Sequence, residues 1–294
     1  MELFLMTLTN GIMVGGIYAL VALAWVLIYK CSGVLNLAMG ELTLIGAYVT
    51  ITFYSWGIPF ALSIIGTLMV GIILGILVER IFLDKLIGEP ILAVIMVTVG
   101  ISYFFKGVIE FIWGTDIRVF TPPVFSLKPI SIGFLKISTV YFWSFILAMV
   151  LFLVFVAFFK YTRWGLSMQA TADDETAALS LGVSARFVYA ASWAIAFMAA
   201  GVGGALLGNI NGVTVSVGYL GLLVLPAVVL GGLNSVPGAI VGGLLIGVLQ
   251  NLAGTYLDVY FPGGVKDVFP FAFMTVFLLF MPYGLWGWVK IERM

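Results

Sequence analysis

Apolar residues run along this chain in long stretches separated by short polar punctuation. Nine such segments stand out, at roughly 7–29, 37–54, 59–78, 91–113, 138–159, 187–209, 219–232, 238–257 and 268–288. A helix needs about 20 apolar residues to cross the hydrocarbon core of a bilayer. The pattern therefore predicts an all-α, polytopic transmembrane helical bundle of about nine spans, within a range of eight to ten. No long polar stretch interrupts it, so residues 1–294 read as a single transmembrane domain. Two segments are irregular and are expected to be broken helices. The second follows Cys31-Ser32-Gly33-Val34-Leu35-Asn36 and is expected to begin as a broken or re-entrant piece. The seventh is short and follows Asn209-Ile210-Asn211-Gly212. The stretch Ser32–Gly40 also resembles Asn211–Gly218, one in each half of the chain. Transporters commonly arise from such repeats, with interrupted helices bordering the substrate path.

The polar punctuation orients the bundle. With the N-terminus outside, Lys30, Arg80, Lys85, Lys160, Arg163, Arg186, Lys290 and Arg293 fall in cytoplasmic loops. Arg118, Lys128, Lys136 and Lys266 then fall outside. Basic residues favour the cytoplasmic side, so the expectation is N-terminus outside, C-terminus cytoplasmic, in an inner (plasma) membrane. The outer loop at 114–137 carries Thr121-Pro122-Pro123 and Lys128-Pro129, and reads as a cap on the outer mouth. Gly11/Gly15, Gly71/Gly75, Gly204/Gly208, Gly238/Gly242 and Gly243/Gly247 are small residues four apart, the spacing that lets helix backbones approach closely in lipid.

Composition narrows the chemistry. Of the residues, 63% are hydrophobic and 9% charged, and net charge is zero; mean hydropathy is +1.22. Soluble domains carry about 25% charged residues. Neutrality argues against nucleic acid as a partner. The absence of histidine and the single cysteine, Cys31, exclude Cys/His metal sites, histidine-based catalysis and an internal disulfide. Met1-Glu2-Leu3-Phe4 has no basic leader region, so the first apolar segment is expected to remain a span. Within the spans, charge is confined to Glu41 and to Lys106 and Glu110, which share a helix face and are expected to form an interfacial ion pair. No carboxylate is expected near the midplane, where ion-coupled carriers usually need one. No G-x-x-x-x-G-K-[ST] phosphate loop is present. Active transport would therefore draw on ATP hydrolysed by a partner.

The most polar loop, 160–186, contains a short helix with marked ends. Thr171 is the expected N-cap, Asp173, Asp174 and Glu175 put negative charge at the positive helix terminus, and Gly182 is the expected left-handed stop. Ala177, Ala178 and Leu181 form a small apolar stripe. This is the design of a helix that docks in a groove on another protein, although a plain interfacial connector has the same composition.

Thr176-Ala177-Ala178-x-x-x-Gly182 resembles the E-A-A-x-x-x-G coupling motif of ATP-binding-cassette importer membrane subunits, with Thr in place of the usual Glu. Asp173-Asp174-Glu175 followed by Leu181-Gly182-Val183 is similar to the looser form in permeases of branched-chain amino-acid uptake systems. Gly16-Ile17-Tyr18-Ala19-Leu20, Asn36-Leu37-Ala38-Met39-Gly40-Glu41, Val229–Ala239 (with Asn234 replacing a glycine) and Met281-Pro282-Tyr283-Gly284-Leu285 resemble further blocks of that family, in order.

The resemblance implies a transporter subunit that binds no cofactor and has no catalytic or metal-ligating residues. ATP and magnesium would be held by two partner ATPases. A homologous second permease, an extracytoplasmic substrate-binding protein, the bilayer and a small-molecule cargo complete the implied assembly. Coupling falls to a cytoplasmic helix at about 171–182, through Asp173, Asp174, Glu175, Thr176, Ala177, Ala178, Leu181 and Gly182. The expected translocation path touches Asn36, Gly40, Glu41, Asn211, Gly212 and Ser216, polar or small residues beside helix breaks. Branched-chain or other hydrophobic amino acids are the implied cargo, moved by alternating access. Similar permeases carry urea, amides or aromatic and other organic acids. A stand-alone secondary transporter or channel is the rival from another class, and an intramembrane enzyme has little support.

Overall fold

A computed structural model describes residues 1–86, 89–126, 128–132, 135–261 and 264–287. Lys290, Arg293 and the last residue of the ninth apolar segment lie outside the described residues.

The chain is built from helices. They are α1 (Glu2–Ser32), α2 (Met39–Ser55), α3 (Phe60–Val78), α4 (Ile91–Trp113), α5 (Thr139–Tyr161), α6 (Arg163–Asp173), α7 (Glu175–Ser180), α8 (Ala185–Asn211), α9 (Ser216–Leu222), α10 (Leu225–Gly231), α11 (Val236–Tyr256) and α12 (Val265–Phe280). Helix α3 continues through a π-helical turn, Glu79–Leu83, and a 3-10 turn, Asp84–Leu86. A two-stranded antiparallel ribbon, β1 (Ile130–Ile132) and β2 (Leu135–Ile137), lies between α4 and α5. Six helices among the described residues are long and apolar enough to cross a membrane: α1, α3 with its extension, α4, α5, α8 and α11. The other three apolar segments fall on shorter elements, the 17-residue α2, the pair α9 and α10, and the 16-residue α12.

Apolar burial sorts the helices into a centre and a rim. Every residue of α1 from Met13 to Ile28 is buried, and α8 is buried almost without break from Ser192 to Gly208. By contrast α3, α4 and α5 turn Ile65, Met69, Ile73, Met96, Phe104, Leu153 and Val154 outward. A helix apolar all round belongs inside a bundle or in lipid; α1 has the first position and the rim helices the second. Thr43, Thr50 and Thr67 are buried, and each hydroxyl donates to a carbonyl one turn back. Thr50 and Thr67 also join α2 to α3 at 2.6 Å. These bonds satisfy polar groups where no water is at hand.

Close backbone approach sets the helix positions. A side chain added at Gly15 of α1 would lie 2.7 Å from the Leu244 Cα of α11, and one at Gly75 of α3 would lie 2.5 Å from the Ala194 Cα of α8. At Gly46 an added Cβ would collide with Gly201, where α2 and α8 cross with backbone against backbone.

Long-range contacts gather the connections at two ends. At the first end Thr7 meets Thr255, Tyr54 donates to the Pro122 carbonyl, and Arg118 pairs with Val213. At the second end Arg186 meets Asp84, Cys31 lies 4.0 Å from the Met168 carbonyl, and the Leu285 amide donates to Leu230.

Inserting a side chain at the α2–α8 crossing should overpack the centre, which typically costs about 1–3 kcal/mol or more. Gly46→Leu is expected to lower the thermal midpoint of the detergent-solubilised chain by several degrees, read by size-exclusion after heating. Gly100→Ala, where nothing lies within 4 Å, is the control. It should leave the midpoint unchanged or raise it, since Ala is the better helix former by about 0.5–1 kcal/mol.

Candidate functional site

Two intervals of non-helical backbone run into the apolar bundle, and each begins at a glycine on its margin, Gly33 exposed and Gly212 half-buried. Helix α1 ends at Gly33, whose φ of 67° is left-handed, and α8 ends at Gly212 with φ 81°. Residues with a Cβ adopt such angles at a steric penalty, so both helices stop there. Backbone freed from a helix needs partners when no water reaches it. In the first interval Thr98 of α4 supplies them: its hydroxyl accepts from the Leu37 amide at 3.3 Å and reaches the Leu35 carbonyl at 3.5 Å. Thr98 lies seven residues into α4, about 10 Å from its start at 1.5 Å per residue. Asn36 is 1% exposed, and its Oδ1 accepts from the Ala38 amide at 3.0 Å. In the second interval Val213 and Arg118 exchange both backbone bonds, at 2.8 and 2.9 Å, and the Thr214 hydroxyl accepts from the Ser216 amide at 3.1 Å.

The resemblance between Ser32–Gly40 and Asn211–Gly218 thus has a structural counterpart. Each stretch is a left-handed glycine, then a side chain bonding an amide two residues on, then a helix start. The two stretches also touch: an added Cβ at Gly40 would strike the Gly218 carbonyl, and Gly221 sits against Gly40 and Thr43.

Cavities open on either side of that contact. Toward the first end a cavity of about 610 Å³ is lined by Asn211, Gly212, Thr214, Ser216 and Glu110. Another of about 320 Å³ shares Asn211 and is lined by Tyr18, Gln250 and Asp267. Toward the second end a cavity of about 550 Å³ is lined by Ser32, Gly33, Lys30, Asp173, Glu175 and Tyr189. A smaller one of about 200 Å³ is lined by Ser32, Glu79, Glu175, Tyr189 and Trp193. Each glycine stop therefore borders a cavity at its own end, and the Gly40–Gly218 contact lies between them.

Of the residues expected along a path, Asn211, Gly212 and Ser216 line the first-end cavity. Asn36 and Gly40 are packed between the two ends and line none of these cavities. Glu41 turns toward Ser102 and Lys106 of α4, with its Oε2 unpartnered among the described residues. Lys106 and Glu110 do not close the expected ion pair; the pair seen among the described residues is Arg186–Asp84, at 2.8 Å.

Segment 171–182 departs from expectation at its start. Thr171 is no cap. It is buried within α6, its hydroxyl donating to Ser167. Asp174 caps α7 instead, its Oδ1 accepting from Ala177 at 2.9 Å, because an extended residue breaks the chain between α6 and α7. Gly182 has φ 84° and stops the helix as expected. The apolar stripe divides: Ala178 is 2% exposed and faces into the chain, while Leu181 is 83% exposed. Asp173, Asp174, Glu175, Thr176, Ala177 and Leu179 are exposed beside Leu181, so the free face of α7 lies there.

Sequence reasoning missed Thr98, Tyr189 and Glu79. Thr98 and Tyr189 look like ordinary helix residues in sequence. Glu79 was placed just beyond the third span, yet the helix continues past it and buries it to 1% exposure. A helix phase extended through Glu79–Leu83 is the signal that could have found it.

Residues 7–278 match the family described as branched-chain amino acid transport system / permease component. The chain is 31% identical to the high-affinity branched-chain amino acid transport system permease protein LivH of Salmonella typhimurium, covering 99% of this chain and 97% of that one. It is 30% identical to the corresponding protein BraD of Pseudomonas aeruginosa, over 99% and 98%. It is 28% identical to a probable branched-chain amino acid transport permease protein LivH of Methanocaldococcus jannaschii, over 98% and 95%. Among solved structures, PsaBC from Streptococcus pneumoniae in complex with Fab shares the fold with a TM-score of 0.50 at 14% identity, covering 92% of this chain and 91% of that one.

Removing the Thr98 hydroxyl would strand the Leu37 amide inside the bundle, at about 1–3 kcal/mol for a buried unsatisfied group. Thr98→Val is expected to destabilise the chain by that amount in denaturant titration. Thr275→Val is the comparison, since its exposed hydroxyl bonds only its own helix; it should change stability by less than about 0.5 kcal/mol.

Proposed function

The chain belongs to the branched-chain amino acid transport system permease family, and from that premise we propose how it works as the membrane subunit of an ATP-binding-cassette importer. The observation that carries this reading is the full-length match to permeases named for branched-chain amino acids, by a chain whose own cavities open toward opposite ends with the Gly40–Gly218 contact between them. Cargo would be branched-chain or similarly hydrophobic amino acids. The relatives' names favour these over urea, amides or aromatic acids, and over a stand-alone carrier or channel.

In this proposal the first end faces outward and the second end the cytoplasm. Six of the eight basic residues assigned to the cytoplasm are described, and all belong to second-end connections, against four at the first end. Nine spans would follow if α2, the pair α9 and α10, and α12 each complete a crossing with the non-helical backbone beside them. Residues 1–294 would then form one transmembrane domain. An external binding protein would deliver cargo to the first-end cavity at Asn211, Gly212 and Ser216. Closure of the α2–α9 contact at Gly40 and Gly218 would separate it from the second-end cavities, with Asn36 and Glu41 beside the barrier. Alternating access is the opening of one side as the other closes.

A homologous second permease and two ATPases would complete the assembly, the ATPases holding ATP and magnesium. Helix α7 offers them an acidic cap and an exposed apolar corner at Leu179 and Leu181. Because Glu175 also lines both second-end cavities, a push on α7 would reach the cavity wall directly.

Two measurements test this. In a Cys31→Ser background, Asp174→Cys should resist an impermeant maleimide on intact cells and react in inside-out vesicles; labelling from outside would reverse the orientation. Leu181→Asp should reduce co-purification of the ATPases about tenfold, which corresponds to about 1.4 kcal/mol, while the variant still inserts. Undiminished ATPase binding and leucine uptake by Leu181→Asp would refute docking through α7.

A further inference from the structure

Glu79 is the least explained side chain in the molecule. It is 1% exposed, and neither carboxylate oxygen has a hydrogen-bond partner among the described residues. A buried carboxylate without partners is strongly disfavoured, and an unsatisfied group in a native structure needs a reason. Its position supplies one, because Glu79 lines the second-end cavity of about 200 Å³. It also opens the π-helical turn Glu79–Leu83, a distortion that recurs at functional sites. Two cations lie near it: Arg80, the next residue, is exposed, and Arg186 on α8 is engaged with Asp84 at 2.8 Å.

The rest of the cavity has two characters. Glu89 and Glu175 add further acid, while Trp193 and Val94 make apolar walls. Aromatic faces attract cations, and apolar walls favour a hydrocarbon tail. No cluster of three metal-binding side chains occurs among the described residues. The volume is below the roughly 300–1,000 Å³ of pockets for drug-sized ligands, which suits a small metabolite.

We propose that this cavity is a cargo site on the release side, in which Glu79 receives the primary ammonium group of a small amphiphilic amine and the apolar walls receive its side chain. The inference rests on the permease reading above and deepens it. There, cargo leaving the barrier would pause against Glu79 before reaching the cytoplasm. An anion without an ammonium group would find a wall of carboxylates, so an amino acid would sit with its ammonium on Glu79 and its own carboxylate turned away from Glu89 and Glu175.

The test uses the assembled transporter, with ATPases and binding protein, in proteoliposomes whose ATP-hydrolysing face is outward. Wild-type ATP-driven leucine transport establishes the permease reading, and its absence would defeat that reading by itself. Given transport, millimolar isobutylammonium on the ATP-containing face should inhibit, and isobutyrate at the same concentration should not. This comparison needs no variant to fold. Glu79→Gln should lower the maximal rate about tenfold, leave half-saturating leucine unchanged, and become insensitive to isobutylammonium. Glu79→Asp, which keeps the charge, should recover part of the rate. Wild-type rates in Glu79→Gln, equal inhibition by amine and acid, or inhibition by calcium in place of the amine would each overturn the assignment.

Discussion

Helix backbones in this chain meet with no side chain between them, and the rest of the structure depends on that approach. In lipid there is little hydrophobic gain in bringing one apolar helix to another, so association relies on packing and on buried polar bonds. Glycine at the crossing points removes the spacer: Gly15 against Leu244, Gly75 against Ala194, and Gly46 against Gly201. The crossings hold α1 and α8 at the centre and leave α3, α4 and α5 with apolar faces outward.

A tight centre steadies the irregular backbone. Asn36 and Thr214 each bond the amide two residues on, and the rest of the hold on the 33–38 and 212–215 intervals comes from partners brought close by packing. Thr98 reaches the first, and the Arg118 backbone reaches the second. Because each interval begins at a left-handed glycine and ends at a helix start, the two make a pair with opposite outlooks, one to each end. They meet at Gly40 and Gly218, where backbone lies against backbone with no side chain between.

Both ends line their cavities with acid, but in different company. The first end sets Glu110 and Asp267 among asparagine, threonine and serine around Asn211 and Ser216. The second gathers acid at Glu79, Glu89 and Glu175 beside the exposed corner of α7. Glu175 belongs to both features, an exposed residue of α7 that also lines the two second-end cavities.

Sequence alone determined the helical class and several glycine-marked helix ends, though not the end of α3, which runs on through Glu79. Those properties follow from local chemistry: apolar runs of spanning length, Gly33 and Gly212 at breaks, Gly182 closing α7. The family blocks were legible too, because they are ordered short motifs. Tertiary structure decided what faces what. Ala178 belongs to the same short stripe as Leu181, yet packing buries one and exposes the other. Asp174 took the cap from Thr171 because α6 runs two residues beyond Thr171 before the chain breaks. Glu79 reads as a residue past the end of a span, and only the continued helix carries it into a wall. Burial and partnership are properties of elements meeting across the chain, and no periodicity within one element encodes them.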